Sequence, residues 1–349
     1  TTIDEFISKA NIIHNNKYDY SLVEYITACI KIKITCPVHG VFWQTPNNHL
    51  SGHGCPICTH SISSQESEIY NFLKLYKISP IQSDRTILNG KELDIYIPSH
   101  IIAMEFDGIY WHSEGMGKNR SYHLNKTKDC FDNNIQLLHI FENEWNNHIK
   151  KEIWKSVILN KLGICSQKIF ARKCTINEVN NKTAKQFLLN NHLQGHTPSS
   201  INIGLYYENE LVSLMTFGKS RYNKSYQYEL IRFCNRLNTV VVGGASKLFK
   251  YFIRNYKPES LISYADMRYS NGTLYEKLGF TKLKNSQPNY FYFHKSDTNN
   301  LMSRVQFQKH KLKDKLETFD IELTEYQNML NNGYDRIWDC GNCVYKYNS

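Results

Sequence analysis

Apolar residues recur at helical spacing at Ile3, Phe6, Ile7 and Ala10, which predicts a short N-terminal helix. The alternation Ile30-Lys31-Ile32-Lys33-Ile34 predicts a strand behind it. Ser63, followed three residues later by Glu66, reads as a capping box that opens a further helix. From there residues 61–165 read helix, strand, strand, helix, strand, helix, with strands over 91–97 and 101–108. Residues 166–296 alternate strands and helices. Residues 297–349 predict a charged helix, a second helix over 323–332 stopped by Gly333, and a short hairpin around Asp339-Cys340-Gly341-Asn342. The pattern therefore predicts an α/β multidomain protein with parts at 1–60, 61–165 and 166–296, and a helical and hairpin tail at 297–349.

Composition narrows the class. Of 349 residues 41% are hydrophobic and 21% charged, enough apolar material for packed cores and too much for a disordered chain. No run of apolar residues is long enough to span a bilayer, and the polar, acidic start is unlike a signal peptide. A cytoplasmic protein without a membrane partner is expected. The ten cysteines then favour metal binding and free thiols over a disulfide framework. The net charge of +10 is unevenly placed: residues 166–296 hold 19 Lys and Arg against 7 Asp and Glu, while the other three parts are near balance. That basic stretch suits a polyanion, and double-stranded DNA is the expected partner.

Cys36-Pro37-Val38-His39 and Cys55-Pro56-Ile57-Cys58 have the two-residue spacers that let each pair of ligands meet one ion. Four N/S ligands make a closed structural zinc site that compensates for a small core. His49 and His53, between the two knuckles, are read as substitute ligands or as surface, DNA-facing histidines. Cys340-Gly341-Asn342-Cys343 is read as hairpin-turn chemistry rather than metal binding. With Lys17-Tyr18-Asp19-Tyr20 and Phe42-Trp43-Gln44-Thr45, the segment resembles zinc modules appended to phage and mobile-element nucleases, which implies DNA contact.

In the second part, period-two alternation places Glu105 and Asp107 on one face of a strand, with Asp94 on its neighbour. Carboxylates among Ile, Ala, Met and Phe need a compensating cation, and Mg²⁺ is the expected one. His112 follows in Tyr110-Trp111-His112, with Asp129 expected to orient it and Glu68 a further acidic candidate. The order Glu68, Asp94, Glu105-x-Asp107, His112, Asp129 resembles the very-short-patch mismatch repair endonucleases and the EDxHD homing endonucleases, variants of the PD-(D/E)xK fold. The resemblance covers about residues 62–160. It implies phosphodiester hydrolysis with Asp94 and Glu105 on Mg²⁺, His112 as the base helped by Asp129, and Lys126 and Lys128 at the phosphate. Asp107 stands where that family has Lys, which moves the base role to His112.

In the third part, a glycine turn, Gly243-Gly244-Ala245, leads into a helix, and such a turn offers amides to a pyrophosphate. Together with Asn271-Gly272-Thr273-Leu274-Tyr275-Glu276-Lys277-Leu278-Gly279-Phe280, it resembles the GNAT acyltransferases and the phage Mom-type DNA-modification branch, over about residues 168–296. The resemblance implies an acyl-CoA loop at Gly243, Gly244 and Ala245. Three readings stay open: an active acyltransferase, a GNAT fold reused to bind DNA, or a structural partner of the nuclease. Arg221, Arg232, Arg236, Lys247 and Arg268, interleaved with tyrosines, are expected on the DNA backbone. The leading expectation is a Mg²⁺-dependent, site-specific DNA endonuclease of the homing type, a hydrolase acting in a bacterial host if phage-encoded, as a nickase or a dimer. The alternative is a DNA-modifying GNAT-type acyltransferase with a vestigial nuclease domain.

Overall fold

The computed structural model describes residues 2–37, 40–56 and 63–348. The chain forms two compact units, Thr1–Glu68 and Ile69–Ser349, and helix Ser64–Leu75 straddles their boundary. The Ser63 hydroxyl caps that helix by accepting from the Glu66 N–H, as the sequence predicts.

In the first unit, helix Ile3–Ile13 opens on a reciprocal cap between Thr2 and Glu5 and buries Phe6 and Ala10. Strand β1 (Ile32–Cys36) pairs antiparallel with β2 (Gly40–Gln44), with Ile34 opposite Phe42. The strand starts later than its alternation suggests, because Ile30 stays exposed and Ile32, Ile34 and Cys36 point into the core.

The second unit begins with β3 (Ile81–Leu88), β4 (Lys91–Ile97), β5 (Ile102–Asp107) and β6 (Gln136–Phe141), ordered as numbered in one sheet. β4 and β5 are antiparallel; β5 and β6 are parallel, joined through helix Tyr122–Asp132. One face packs Ile95, Met104, Leu138 and Ile140 against Trp145, Trp154 and Ile158. The opposite face carries Ala103, Glu105 and Asp107 toward helix Tyr122–Asp132, so period two sorts the strand as expected.

The rest of the unit is β7 (Gln167–Phe170), β8 (Thr175–Glu178), β9 (Ile201–Tyr207), β10 (Glu210–Lys219), β11 (Tyr228–Asn235), β12 (Thr239–Val242), β13 (Ser260–Asp266), β14 (Thr281–Asn285), β15 (Tyr290–His294), β16 (Asp297–Ser303), β17 (Tyr334–Trp338) and β18 (Asn342–Asn348). A seven-stranded sheet runs β14-β18-β13-β11-β10-β9-β8; β11 and β13 are parallel neighbours and its other pairs are antiparallel. Helix Gly244–Tyr256 covers one face, with Phe252 stacked on Phe217 at 3.7 Å.

In the tail the second expected helix forms as Glu325–Asn331 and stops before Gly333, at φ +80°, but the charged helix and the hairpin are corrected. Residues 297–303 form β16, which joins β15 and β17 in a three-stranded sheet, and the charged stretch beyond keeps only the short helix Lys309–Leu312. Asp339-Cys340-Gly341 does turn, with Gly341 at φ +76°, but β17 and β18 belong to different sheets. Asp339 accepts from the Asn289 and Gly341 N–H groups and hands the chain from one sheet to the other.

Residues 69–165 and 166–348 thus share one compact unit. Arg268, 6% exposed, reaches from the end of β13 to Glu144 and also bonds Asp266. The Arg268 carbonyl accepts from the His139 N–H on β6 at 2.9 Å. Ser113 and Gly115 bond the buried carboxylate of Asp335 on β17.

Candidate functional site

Two acidic residues, Asp94 on β4 and Glu105 on β5, meet across the neighbouring strands. The Phe106 N–H donates to Asp94 at 2.8 Å, and the Asp94 N–H donates to Glu105 at 3.2 Å. Lys126, from the covering helix, forms an ion pair with the buried Glu105. Burial raises the Glu105 carboxyl against the opposing charge of Lys126. Burial pulls Lys126 down, but Glu105 and Asp94 outweigh it and hold the ammonium protonated. The compensating cation expected as Mg²⁺ is therefore a lysine of the chain itself, and the pair does not fit a hard-ion site with free carboxylate oxygens.

Asp107 lies further along the same strand, wholly buried, and collects three imidazoles. His139 Nδ1 donates to Asp107 Oδ2 at 2.9 Å. His112 Nδ1 and His123 Nε2 lie 3.0 and 3.4 Å from Asp107 Oδ1, and 3.0 Å from each other. Burial alone would raise the Asp107 carboxyl; His123, His139 and His112 outweigh it and hold it well below the usual carboxylate range. His123 and His139 were missed at the sequence level. A polar residue inside the apolar run Leu137-Leu138-His139-Ile140-Phe141 was the available signal.

Other expected partners are elsewhere. Asp129 pairs with exposed Lys91 at 2.5 Å and does not orient His112, whose nitrogen faces Asp107 and His123. Glu68 lies on helix Ser64–Leu75, as the last residue of the first unit. Lys128 is exposed on its helix.

The basic residues expected on DNA are largely engaged within the fold. Arg221 pairs with Glu229, Arg236 with Glu210 and Gln167, and Lys247 donates to the carbonyls of Ala171 and Cys174. Arg268 is buried between carboxylates. Arg232 donates to the carbonyls of Gly195 and Ile231 and to the Thr197 hydroxyl.

Arg232 marks a fork in the large sheet. β11 and β13 pair only from Tyr228 with Leu261 to Leu230 with Ser263. Beyond that, β11 stays with β10 and β13 follows β18. Segment 192–197 straddles the opening, through Gly195 and Thr197 to Arg232 and through Gln194 to Asp266. Beside it a cleft of about 180 Å³ is lined by Phe233, Cys234, His192, Tyr269 and Ser156 among others. Burial and Arg232 push His192 down to about 3, so it is neutral, and its Nδ1 accepts from the Gln194 N–H. Burial raises the Cys234 thiol.

The glycine turn lies after β12. Gly243, at φ +76°, starts helix Gly244–Tyr256 with no side chain capping its N-terminus. A side chain at 243 would meet only the Ala171 methyl at ordinary distance, whereas one at 244 would press on Val241 at 3.0 Å.

In the first unit Cys36 and Cys55 are buried in one core cluster, while His39 and Cys58 lie outside the described residues. His49 is corrected from a surface reading. It is fully buried, stacked on His14 at 4.0 Å and bonded to Tyr20, Gln44 and the His53 carbonyl. Burial, with His14, pushes it down to about 4. His53 is exposed, and its Nδ1 lies 3.2 Å from the Asn48 carbonyl. Cys340 and Cys343 are buried, at either side of the Gly341 turn that passes the chain from β17 to β18.

Residues 1–59 match a family described as a protein of unknown function, DUF723. Two uncharacterized proteins of Acanthamoeba polyphaga mimivirus are similar: one is 45% identical over 49 residues, the other 38% over 60 residues. These matches cover 14% and 17% of this chain and only 18% and 22% of those proteins. Among solved structures, a Bacillus subtilis acetyltransferase in complex with CoA overlaps 51% of this chain and 99% of its own, at 14% identity and TM-score 0.28. A GNAT family acetyltransferase from Elizabethkingia anophelis with acetyl-CoA bound does so over 51% and 99%, at 13% and 0.27. Lys126 takes the cation's place beside Glu105, and the expectation of a Mg²⁺-dependent DNA endonuclease, a hydrolase, is corrected on that geometry. Among the described residues no helix is long and apolar enough to cross a membrane.

Proposed function

We propose that the chain is a GNAT-type, acyl-CoA-dependent transferase that modifies double-stranded DNA, with the β3–β6 sheet and its helices as a structural partner. The observation that carries the reading is the fork: two parallel central strands that part after Leu230 and Ser263 beside a helix whose N-terminus opens on a left-handed glycine. Parting leaves unpaired backbone in the middle of a sheet, which a fold tolerates where a ligand or a crossing segment takes up the hydrogen bonds. When bound, an acyl-CoA supplies an activated thioester at that opening.

The chain's own residues have distinct tasks in this reading. The free amides at the start of helix Gly244–Tyr256 bind pyrophosphate, helped by the helix dipole. Segment 192–197 and Arg232 floor the opening and fix its width. Burial and Arg232 keep His192 neutral, with its Nδ1 taken up by the Gln194 N–H, and burial keeps Cys234 a thiol and so a poor nucleophile. The excess of 19 basic over 7 acidic residues across 166–296 supports a DNA acceptor. Cys36, His39, Cys55 and Cys58 hold a structural zinc in the first unit within the same reading, supported by the shared burial of Cys36 and Cys55; a chelator-resistant Zn²⁺ equivalent lost on Cys55→Ser checks it.

The test incubates the full chain with radiolabelled acetyl-CoA and duplex DNA. Label on the DNA, abolished by Gly244→Glu, is expected. Absence of label from DNA under conditions where acetyl-CoA binds would replace DNA with another acceptor.

A further inference from the structure

We infer that Asp107, His112 and His123 form a binding site for a divalent first-row transition ion. It is separate from the acyl-CoA opening and uses neither Asp94 nor Glu105. Asp107 Oδ1, His112 Nδ1 and His123 Nε2 converge with mutual separations of 3.0, 3.0 and 3.4 Å. Ligands about 2.1 Å from one ion, at angles between octahedral and tetrahedral, are spaced about 3.0–3.4 Å apart, so the three atoms already have the edge lengths of a metal face.

Hydrogen bonding does not satisfy the same three atoms. Asp107 Oδ1 is buried and makes no hydrogen bond of good geometry. Whichever of these nitrogens carry protons, two lone pairs or two N–H groups are left facing each other across 3.0–3.4 Å. A metal ion resolves this by accepting from all three. The second shell is in place as well. His139 donates to the outer oxygen Asp107 Oδ2, and the Thr127 hydroxyl lies 2.9 Å from the other His139 nitrogen, which fixes the carboxylate and the ring.

Two imidazoles and one carboxylate are borderline ligands that suit Mn²⁺, Fe²⁺, Co²⁺ or Zn²⁺ rather than Mg²⁺. His123 and Asp107 are buried, while the His112 side chain is 18% exposed and follows the exposed Tyr110 and Trp111. The site is therefore reached from the His112 side.

The test is a Mn²⁺ titration of the metal-stripped full chain followed by electron paramagnetic resonance. Mn²⁺ binds thiolates poorly, so the cysteines of the first unit stay silent. One Mn²⁺ bound per chain, displaced by Zn²⁺, is expected. Asp107→Asn and His112→Ala should each weaken it at least ~10-fold, with circular dichroism unchanged for His112→Ala, whose side chain is partly exposed. Glu105→Gln should leave the affinity within ~2-fold. No binding by the wild type, binding indifferent to His112→Ala, or binding lost on Glu105→Gln alone overturns the assignment. None of these results bears on acetyl-CoA binding, so the two readings fail separately.

Discussion

Replacing Arg268 with Met tests how the second unit is held together. The guanidinium is 6% exposed and bonds Glu144 through two nitrogens at 3.1 and 3.2 Å and Asp266 at 3.1 Å. It also lies over the Phe141 ring, 4.5 Å from its centroid. Its charge cannot be surrendered on burial, because the two carboxylates raise its pKa further. Arg268→Met fills much of the volume but leaves Glu144 and Asp266, 6% and 9% exposed, as buried carboxylates facing each other. Removing one partner of a buried ionic group costs about 3–5 kcal/mol. Glu144 keeps only the Trp154 indole N–H among the bonds described for its side chain, which does not offset that. Urea denaturation followed by tryptophan fluorescence reads the loss, since Trp145 and Trp154 are buried in the adjacent core. Adding Glu144→Gln to Arg268→Met removes one stranded charge and should recover about 1–3 kcal/mol. A loss under about 1 kcal/mol, or a double variant that is simply additive, would refute the bridge.

Three further outcomes follow from named residues. Gly272 sits at φ +80°, and a Cβ there would fall 1.8 Å from the buried Tyr345 hydroxyl; Gly272→Ala should cost at least ~2 kcal/mol in the same denaturation experiment. His49 titrates near 4 folded against about 6.5 unfolded, so the native state binds fewer protons and its contribution is full above pH 6.5 and is lost as pH falls toward 4; His49→Gln should flatten the acid limb of first-unit unfolding monitored by amide NMR. Asp339 moves the other way. Burial and Asp266 raise it to about 6, so its contribution is present below about pH 4 and declines as pH rises through 6, and Asp339→Asn should remove that slope.

Much of this was legible in the chain, and the misses share a cause. Strand alternation located β4 and β5 within a residue, since period two and the flanking turns are local signals. Gly243 was legible because a left-handed helix start selects glycine. Partnership was not legible. Nothing in Asn342-Cys343-Val344-Tyr345 says that it slots between β13 and β14, so the C-terminal strand read as half of a hairpin. Lys126 read as a phosphate contact because helical spacing does not reveal which carboxylate a covering helix faces. The histidine cluster escaped for the same reason: His112, His123 and His139 come from a loop, a helix and a strand, and only parallel pairing of β5 with β6 brings the strand member beside Asp107.

The central claim is that the fork and the glycine turn hold an acyl-CoA. Equilibrium binding of acetyl-CoA to the full chain measures it most directly. The account predicts saturable binding at one site per chain, weakened at least ~10-fold by Gly244→Glu, whose side chain presses on Val241 and Leu205 and displaces the turn that presents the helix amides. Binding that never saturates, or that is the same in the variant, would contradict it.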